Sequence, residues 1–403
     1  MRLKNVRPHT LPQVHKAADK RKTLYPMRRM LFVFVLPLVV FLAPAIPRIT
    51  FLNGLGLSLF IAPKAVAGRS AGGSADLNEM RTRIGAARRL LARETPQSTE
   101  FVTVAVADAA TSETHLLKLS KVDFLDKDAE ILATSAATGK TFKLRAVRSN
   151  YVNTALRVTD AEGREFQPLV VQYPVERDGA LREVAYYSSA HPALHSPALV
   201  SGGRTYVQQM LDEAAARLTA HGKTISPEII DAAERLCIVE HTDHRRFKTE
   251  AHASLYNEIF TLYALNAGDT YRYSVSSAGA GGMVQMIPPT YQAIRQQHPE
   301  VGLNPDFVAG MRDHANALEA MLLYMQGTWN DLSKQEEVKL ALEQNIATQT
   351  ELLAAGYNSN PMRLHLYLER GGANWRTLIP AETQMYLRIY ASVDGLVNFR
   401  KRA

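Results

Sequence analysis

One hydrophobic period governs the chain up to about residue 173 and another governs it after residue 201, and that change limits the fold more than any other feature. From Phe101 to Tyr173 apolar and polar residues alternate. Phe101-Val102-Thr103-Val104-Ala105-Val106 and Thr141-Phe142-Lys143-Leu144-Arg145 suit strands with one buried face, and the turn-forming pairs Thr138-Gly139 and Glu162-Gly163 sit between such runs. After Ser201-Gly202-Gly203 the spacing becomes three to four: Val207, Met210, Leu211, Ala214 and Leu218 form one stripe, and Gly222 stands where a helix C′ glycine belongs. Ahead of both regions, Leu77, Met80, Ile84 and Leu91 mark an amphipathic helix behind a Gly/Ser/Ala linker, with Pro96 as its stop. The expectation is an α+β multidomain protein. It has a basic, apolar leader over 1–67, a linker and helix over 68–98, a small β-rich domain over 99–200, serving as a spacer or a wall-binding module, and a mainly α-helical domain over 201–403.

The leader carries the compartment signal. Nine Lys/Arg and one acid, Asp19, precede residue 30; uncharged apolar runs follow from Met30 to Pro47 and from Ile49 to Pro63, and Ala65-Val66-Ala67 has the small-x-small form of a cleavage site. These are the parts of a secretory signal, and positive-inside logic sends the remainder across the membrane, so a periplasmic location is expected. Pro37, Pro44 and Pro47 interrupt a smooth spanning helix and favour a cleaved signal, with inner-membrane association through the apolar segment left open. The leader also accounts for the formal charge of +8: eleven of the 47 Lys/Arg but one of the 39 Asp/Glu lie before Arg69, so the rest is slightly acidic. No nucleic-acid partner is expected. The single cysteine, Cys237, excludes an internal disulfide.

Within the helical region one residue breaks its own pattern. Ser226-Pro227 reads as an N-cap followed by proline at N1, and the inward stripe Ile229, Ala233, Leu236 ends in Glu240. Partial desolvation and the negative end of the helix dipole both favour the neutral carboxyl, which suits a general acid working near neutral pH. A helix-terminal glutamate paired with Arg245 or Arg246 is the competing reading.

Three further elements weigh on that choice. Ser276, Gly279, Ala280, Gly282, Gln285 and Pro288 follow an S-x-x-G-A-x-G-x-x-Q-x-x-P spacing; Ala355-Gly356-Tyr357-Asn358 is similar to an A-Y-N element; Pro380-Ala381-Glu382-Thr383-Gln384-Met385-Tyr386 has the form P-x-E-T-x-x-Y. In this order the sequence resembles the soluble-type lytic transglycosylases of the goose-lysozyme-like superfamily. The resemblance implies a lysozyme-like helical domain acting on peptidoglycan glycan strands. There the MurNAc-GlcNAc bond is cut without water, a 1,6-anhydro ring forms, and one glutamate serves as acid and then base. It implies Glu240 as that glutamate and Ser276, Gln285, Tyr357, Asn358 and Glu382 as substrate-binding residues, with the bare turn from Ala278 to Gly282 lying under a sugar ring and the Tyr357 hydroxyl near Glu240 or an N-acetyl group.

The chain departs from the family at three points. His241 follows the glutamate where the family has serine, Asn360 replaces a glycine, and the long gap before Ser276 holds an extra helix around Leu255, Ile259 and Leu262 ending near Gly268. Glu250 and Glu258 therefore stay open as alternative acids. A hydrolytic muramidase, or a catalytically weak peptidoglycan-binding or envelope-assembly module, stays open as an alternative function. His241, Asp243, His244 and His252 match no zinc spacing, and neither metal nor cofactor is expected.

Overall fold

The computed structural model describes residues 77–177, 179–268 and 278–402. The leader, its cleavage pattern, the linker and Ser276 lie outside the described residues. Among the described residues no helix is long and apolar enough to cross a membrane.

The alternating segment folds as seven antiparallel strands: β1 (Phe101–Ala107), β2 (Thr114–Ser120), β3 (Glu130–Thr134), β4 (Thr141–Arg148), β5 (Ala155–Asp160), β6 (Glu165–Arg177) and β7 (Ala180–Tyr187). Their order is β2-β1-β6-β5-β4-β3, with β7 also on β6, and β2 and β3 approach each other so that the sheet nearly closes. Period two explains the interior. Phe142, Leu144 and Ala146 point in while Thr141, Lys143 and Arg145 are exposed, and the Phe142 ring meets Phe166 edge-on at 5.0 Å. Gly139 and Gly163 take positive φ at the β3–β4 and β5–β6 turns.

Alternation fails at Ala105-Val106-Ala107, all buried, because α1 (Leu77–Leu91) covers the outer face there with Met80, Ile84, Ala87 and Leu91. That helix ends five residues before Pro96. Buried Gln172 of β6 sends its amide to the carbonyls of Leu91, at 2.8 Å, and Glu94, at 2.9 Å, satisfying acceptors the helix end leaves unpaired. A short helix, α2 (Lys121–Leu125), joins β2 to β3.

The helical region starts before residue 201. The helix α3 (Pro197–Ala220) begins at Pro197, where the Ser196 hydroxyl caps the Leu199 N–H, so Gly202 and Gly203 lie inside it rather than ahead of it. Their role is packing: a side chain at Gly203 would run into the backbone carbonyl of Phe260 on the crossing helix α6 (His252–Leu265). Gly222 has φ 72° past the helix end, and the Lys223 N–H reaches back to Leu218 O at 2.8 Å. Between α3 and α6 come α4 (Pro227–Val239) and the single turn α5 (His244–Phe247). The remainder comprises α7 (Pro288–Gln297), α8 (Phe307–Arg312), α9 (His314–Leu332), α10 (Glu336–Glu343), α11 (Gln349–Asn358), α12 (Leu364–Gly371) and α13 (Ala381–Leu396).

Sheet and helices share one apolar core. Polar contacts reinforce the junction: Asn266, just past α6, accepts from the Ser188 N–H at 2.9 Å and donates to Ser188 O at 2.7 Å, and Arg312 meets Glu183 at 3.2 Å. The β region is thus packed against the helices.

Candidate active site

Helix α4 delivers Glu240. Ile229, Ala233 and Leu236 are fully buried, and the chain stays helical for one residue beyond Val239, so the carboxyl leaves the end of the buried stripe half-buried. Its partner is Tyr386 of α13, whose hydroxyl donates to Glu240 Oε1 at 2.5 Å. Burial pushes the carboxyl up from 4.5 to about 8; the Tyr386 hydrogen bond opposes this, and the charge of Glu382, one turn earlier on α13, adds to it. The group is neutral at pH 7. Among the described residues no arginine pairs with it, contrary to the ion-pair reading.

Both alternative acids are committed elsewhere. Arg246 grips Glu250 at 2.8 and 2.9 Å and Glu258 at 2.9 and 3.0 Å, and Arg148 of β4 forms a second ion pair with Glu258. The Arg246 hydrogen bonds hold the Glu250 carboxyl below its ordinary value. Burial, with the like charge of Arg246, lowers Arg148 to about 10, which leaves it cationic at neutral pH.

The glycine-rich turn is tied to His241, the residue that follows Glu240, and its own residues are internally employed. Gln285 sits at φ 48° and donates its side-chain amide to Gly282 O at 2.8 Å, so it closes its own turn. The Tyr357 hydroxyl donates to Val284 O at 2.7 Å rather than to Glu240, and its ring packs edge-on against Tyr324. Gly282, at φ 69°, is required because a side chain there would strike the backbone of Met311 at the end of α8. Met283 and Met286 are core residues.

His241 fastens the acid's helix to the same turn. Its Nε2–H donates to Met283 O at 2.9 Å, and burial holds the ring down to about 4, hence neutral. Tyr263 donates to Cys237 O at 2.5 Å from the other side. Asn358 accepts from the Thr383 hydroxyl at 2.9 Å, tying the end of α11 to the first turn of α13. Asn360 has φ −82° and caps the Met362 N–H, so no left-handed geometry is demanded there. Glu382 is exposed. Tyr357 and Glu382 come near enough to act on Glu240 electrostatically, Gln285 and Asn358 bond to Gly282 and Thr383 instead, none of these four lines the cleft beside Glu240, and Ser276 lies outside the described residues. Tyr386 is the residue the sequence reading passed over, although it closes the P-x-E-T-x-x-Y element.

A cleft of about 320 Å³ opens beside Glu240. One wall is His241, Thr242, Asp243, Arg246 and Glu258; the other comes from the β region as Arg148, Ser149, Asn150 and Asn153. The cleft wall has no sequence signal, because it joins loops about ninety residues apart. Among the described residues no group of three or more His, Cys, Asp or Glu is arranged to hold a metal; His252 instead bonds Ser392 at 2.8 Å and Phe247 O at 2.9 Å.

Comparison with protein-family models, curated proteins and solved structures finds no significant match.

Proposed function

We propose that this chain is a peptidoglycan lytic transglycosylase whose helical region is a lysozyme-like catalytic domain, acting in the periplasm without metal or cofactor. The observation that carries the reading is the Glu240 carboxyl, pushed up to about 8 at the edge of a cleft and bonded to one tyrosine. A protonated acid of this kind gives its proton to the glycosidic oxygen as the bond to MurNAc C1 breaks. The MurNAc C6 hydroxyl then attacks C1, and the carboxylate takes up the hydroxyl proton, so the acid is restored and no water is consumed. Tyr386 engages Oε1, leaving Oε2 for proton transfer, and its O–H donation stabilises the carboxylate between the two steps. The bond from Tyr386, the last residue of the P-x-E-T-x-x-Y element, and the nearness of Tyr357 to this carboxyl support the same reading.

The test is digestion of purified peptidoglycan by wild type and Glu240→Gln, with products identified by mass spectrometry. Anhydro-muropeptides from wild type alone are expected. Reducing-end products would make the enzyme a muramidase, and none from either protein would leave the binding or assembly module. Loss of product on Glu258→Gln but not on Glu240→Gln would move the acid.

A further inference from the structure

Where α3 crosses α6 the chain holds an arginine to which the fold gives no counter-charge. Gly203 lets the two helices approach until Phe260 O lies where a side chain would stand, and the next residue, Arg204, is thereby laid over Phe260, its guanidinium carbon 5.3 Å from the ring centroid. The stack holds the guanidinium in place and buries Nε, which has no hydrogen-bond partner. Among the described residues no carboxylate pairs with Arg204 and no acceptor bonds any of its nitrogens. Arg217, Arg235 and Arg402, half-buried like it, each hold at least one carboxylate: Glu319, Asp394, and the set Asp212, Asp231 and Glu234.

A pocket of about 320 Å³ opens at this arginine. Pro197, Val200, Ser201 and Arg204 line it from α3, and their offsets of three, four and seven put them on one face of that helix. Asn257 closes it from α6 and His195 from the turn before α3. None of these residues is acidic. Asn257 gives its backbone carbonyl to the Thr261 hydroxyl and keeps its side-chain amide, and no described residue bonds the Ser201 hydroxyl or the His195 ring. Four groups able to donate hydrogen bonds thus share the pocket, and Pro197 with Val200 adds an apolar wall. The pocket is separate from the cleft beside Glu240. The two have no lining residue in common, and the cleft takes Leu255, Glu258, Ile259 and Leu262 from the opposite face of α6 to Asn257.

We propose that this pocket binds a small organic anion, with a carboxylate or phosphate head on Arg204 and a short apolar body against Pro197 and Val200. A guanidinium offers paired N–H donors to two oxygens of such a head, and charge-assisted bonds of this kind are about twice as strong as neutral ones. With no acid in its lining, the pocket carries one uncompensated positive charge, which an anion neutralises and a neutral molecule leaves as it is. The site stands apart from the glycan-cleaving reading and takes nothing from it.

The experiment is calorimetric titration of the full chain with benzoate, phenyl phosphate and the neutral benzamide, all at one ionic strength. Benzoate or phenyl phosphate is expected to saturate a single site, the tighter of the two naming the head group, with benzamide weaker by about tenfold or more. Arg204→Gln is expected to weaken the bound anion about tenfold or more. Ser201→Trp places a large ring at an exposed position of the pocket wall while keeping Arg204, and is expected to block the anion; it decides alone should Arg204→Gln not fold. Glu240→Gln binds the anion as wild type does. Absence of saturable anion binding, equal binding of benzamide, or wild-type affinity in either pocket variant overturns the inference. Loss of the anion in Glu240→Gln overturns it too, by moving the binding to the cleft. The muropeptide digestion is read separately, so either proposal can fail without the other.

Discussion

Replacing Glu240 with glutamine should make the protein more stable, by an amount that depends on pH. The folded carboxyl is pushed up from 4.5 to about 8, so the native state holds this proton more tightly than the unfolded chain. Below pH 4.5 both states are protonated and the wild type bears no penalty. As pH rises from there toward 8 the unfolded chain releases its proton while the native state retains it, and stability falls; above 8 both are ionised and the deficit is constant. At pH 7 a sealed site would give a deficit of about 3 kcal/mol, and because this carboxyl is half-buried, water screening lowers the expectation to about 1–3 kcal/mol. Glutamine has no such proton and keeps an acceptor for Tyr386. The assay is urea unfolding of wild type and Glu240→Gln at several values between pH 4.5 and 8. The variant should match wild type at the acid end and exceed it increasingly toward pH 8. A pH-independent difference, or a variant less stable at pH 7, refutes the claim that burial keeps this group protonated.

Tyr386→Phe removes the donor that opposes the upward shift of Glu240, so the alkaline limb of the pH–rate profile should move higher while kcat falls about tenfold or more, as the carboxylate loses a charge-assisted hydrogen bond. Gly203→Ala drives a methyl group into the Phe260 carbonyl where α3 crosses α6, and should cost about 3 kcal/mol or prevent folding. The control is Gly327→Ala in α9, where nothing stands in the way and a gain of about 0.5–1 kcal/mol is expected; thermal denaturation reads both. Glu258→Gln leaves Arg148 and Arg246 without their shared counter-charge and should cost about 1–3 kcal/mol at this half-buried site, read as a lower urea midpoint at unchanged slope.

How much of this was legible depended on how local the cause is. Period-two alternation is imposed within each strand, so 101–106 and 141–145 were readable, as were the stripe ending in Glu240 and the extra helix ending before Gly268. Where a distant element decides, the reading failed. Gly202-Gly203 looks like a break between regions, but Phe260, nearly sixty residues on, turns Gly203 into a notch inside α3. Pro96 looks like the stop for α1, but Gln172 from β6 settles the end at Leu91. At the site the motif spacing marked segments whose internal hydrogen bonds it did not reveal. Gln285, Tyr357 and Gly282 serve the turn itself, and the hydrogen bond that matters to Glu240 comes from Tyr386.

The fate of Glu258 bears on the chemistry as much as on the packing. Two glutamates line the cleft, and a glycosidase that uses water generally needs both, one to protonate the leaving oxygen and one as nucleophile or base. Here only Glu240 is held neutral and without a cation partner. Glu258 lies between two guanidinium groups, so its oxygens are occupied and its negative charge is stabilised in place, which makes it a poor attacking group and a poor acceptor of a proton from water. On the proposed reaction this leaves the sugar's own C6 hydroxyl as the nucleophile and returns its proton to the carboxylate that gave one up. The ion pair that joins the β region to α6 thus takes Glu258 out of that role on the proposed reaction, while Asp243, the remaining carboxylate of the cleft, accepts from the backbone N–H groups of Arg245 and Arg246.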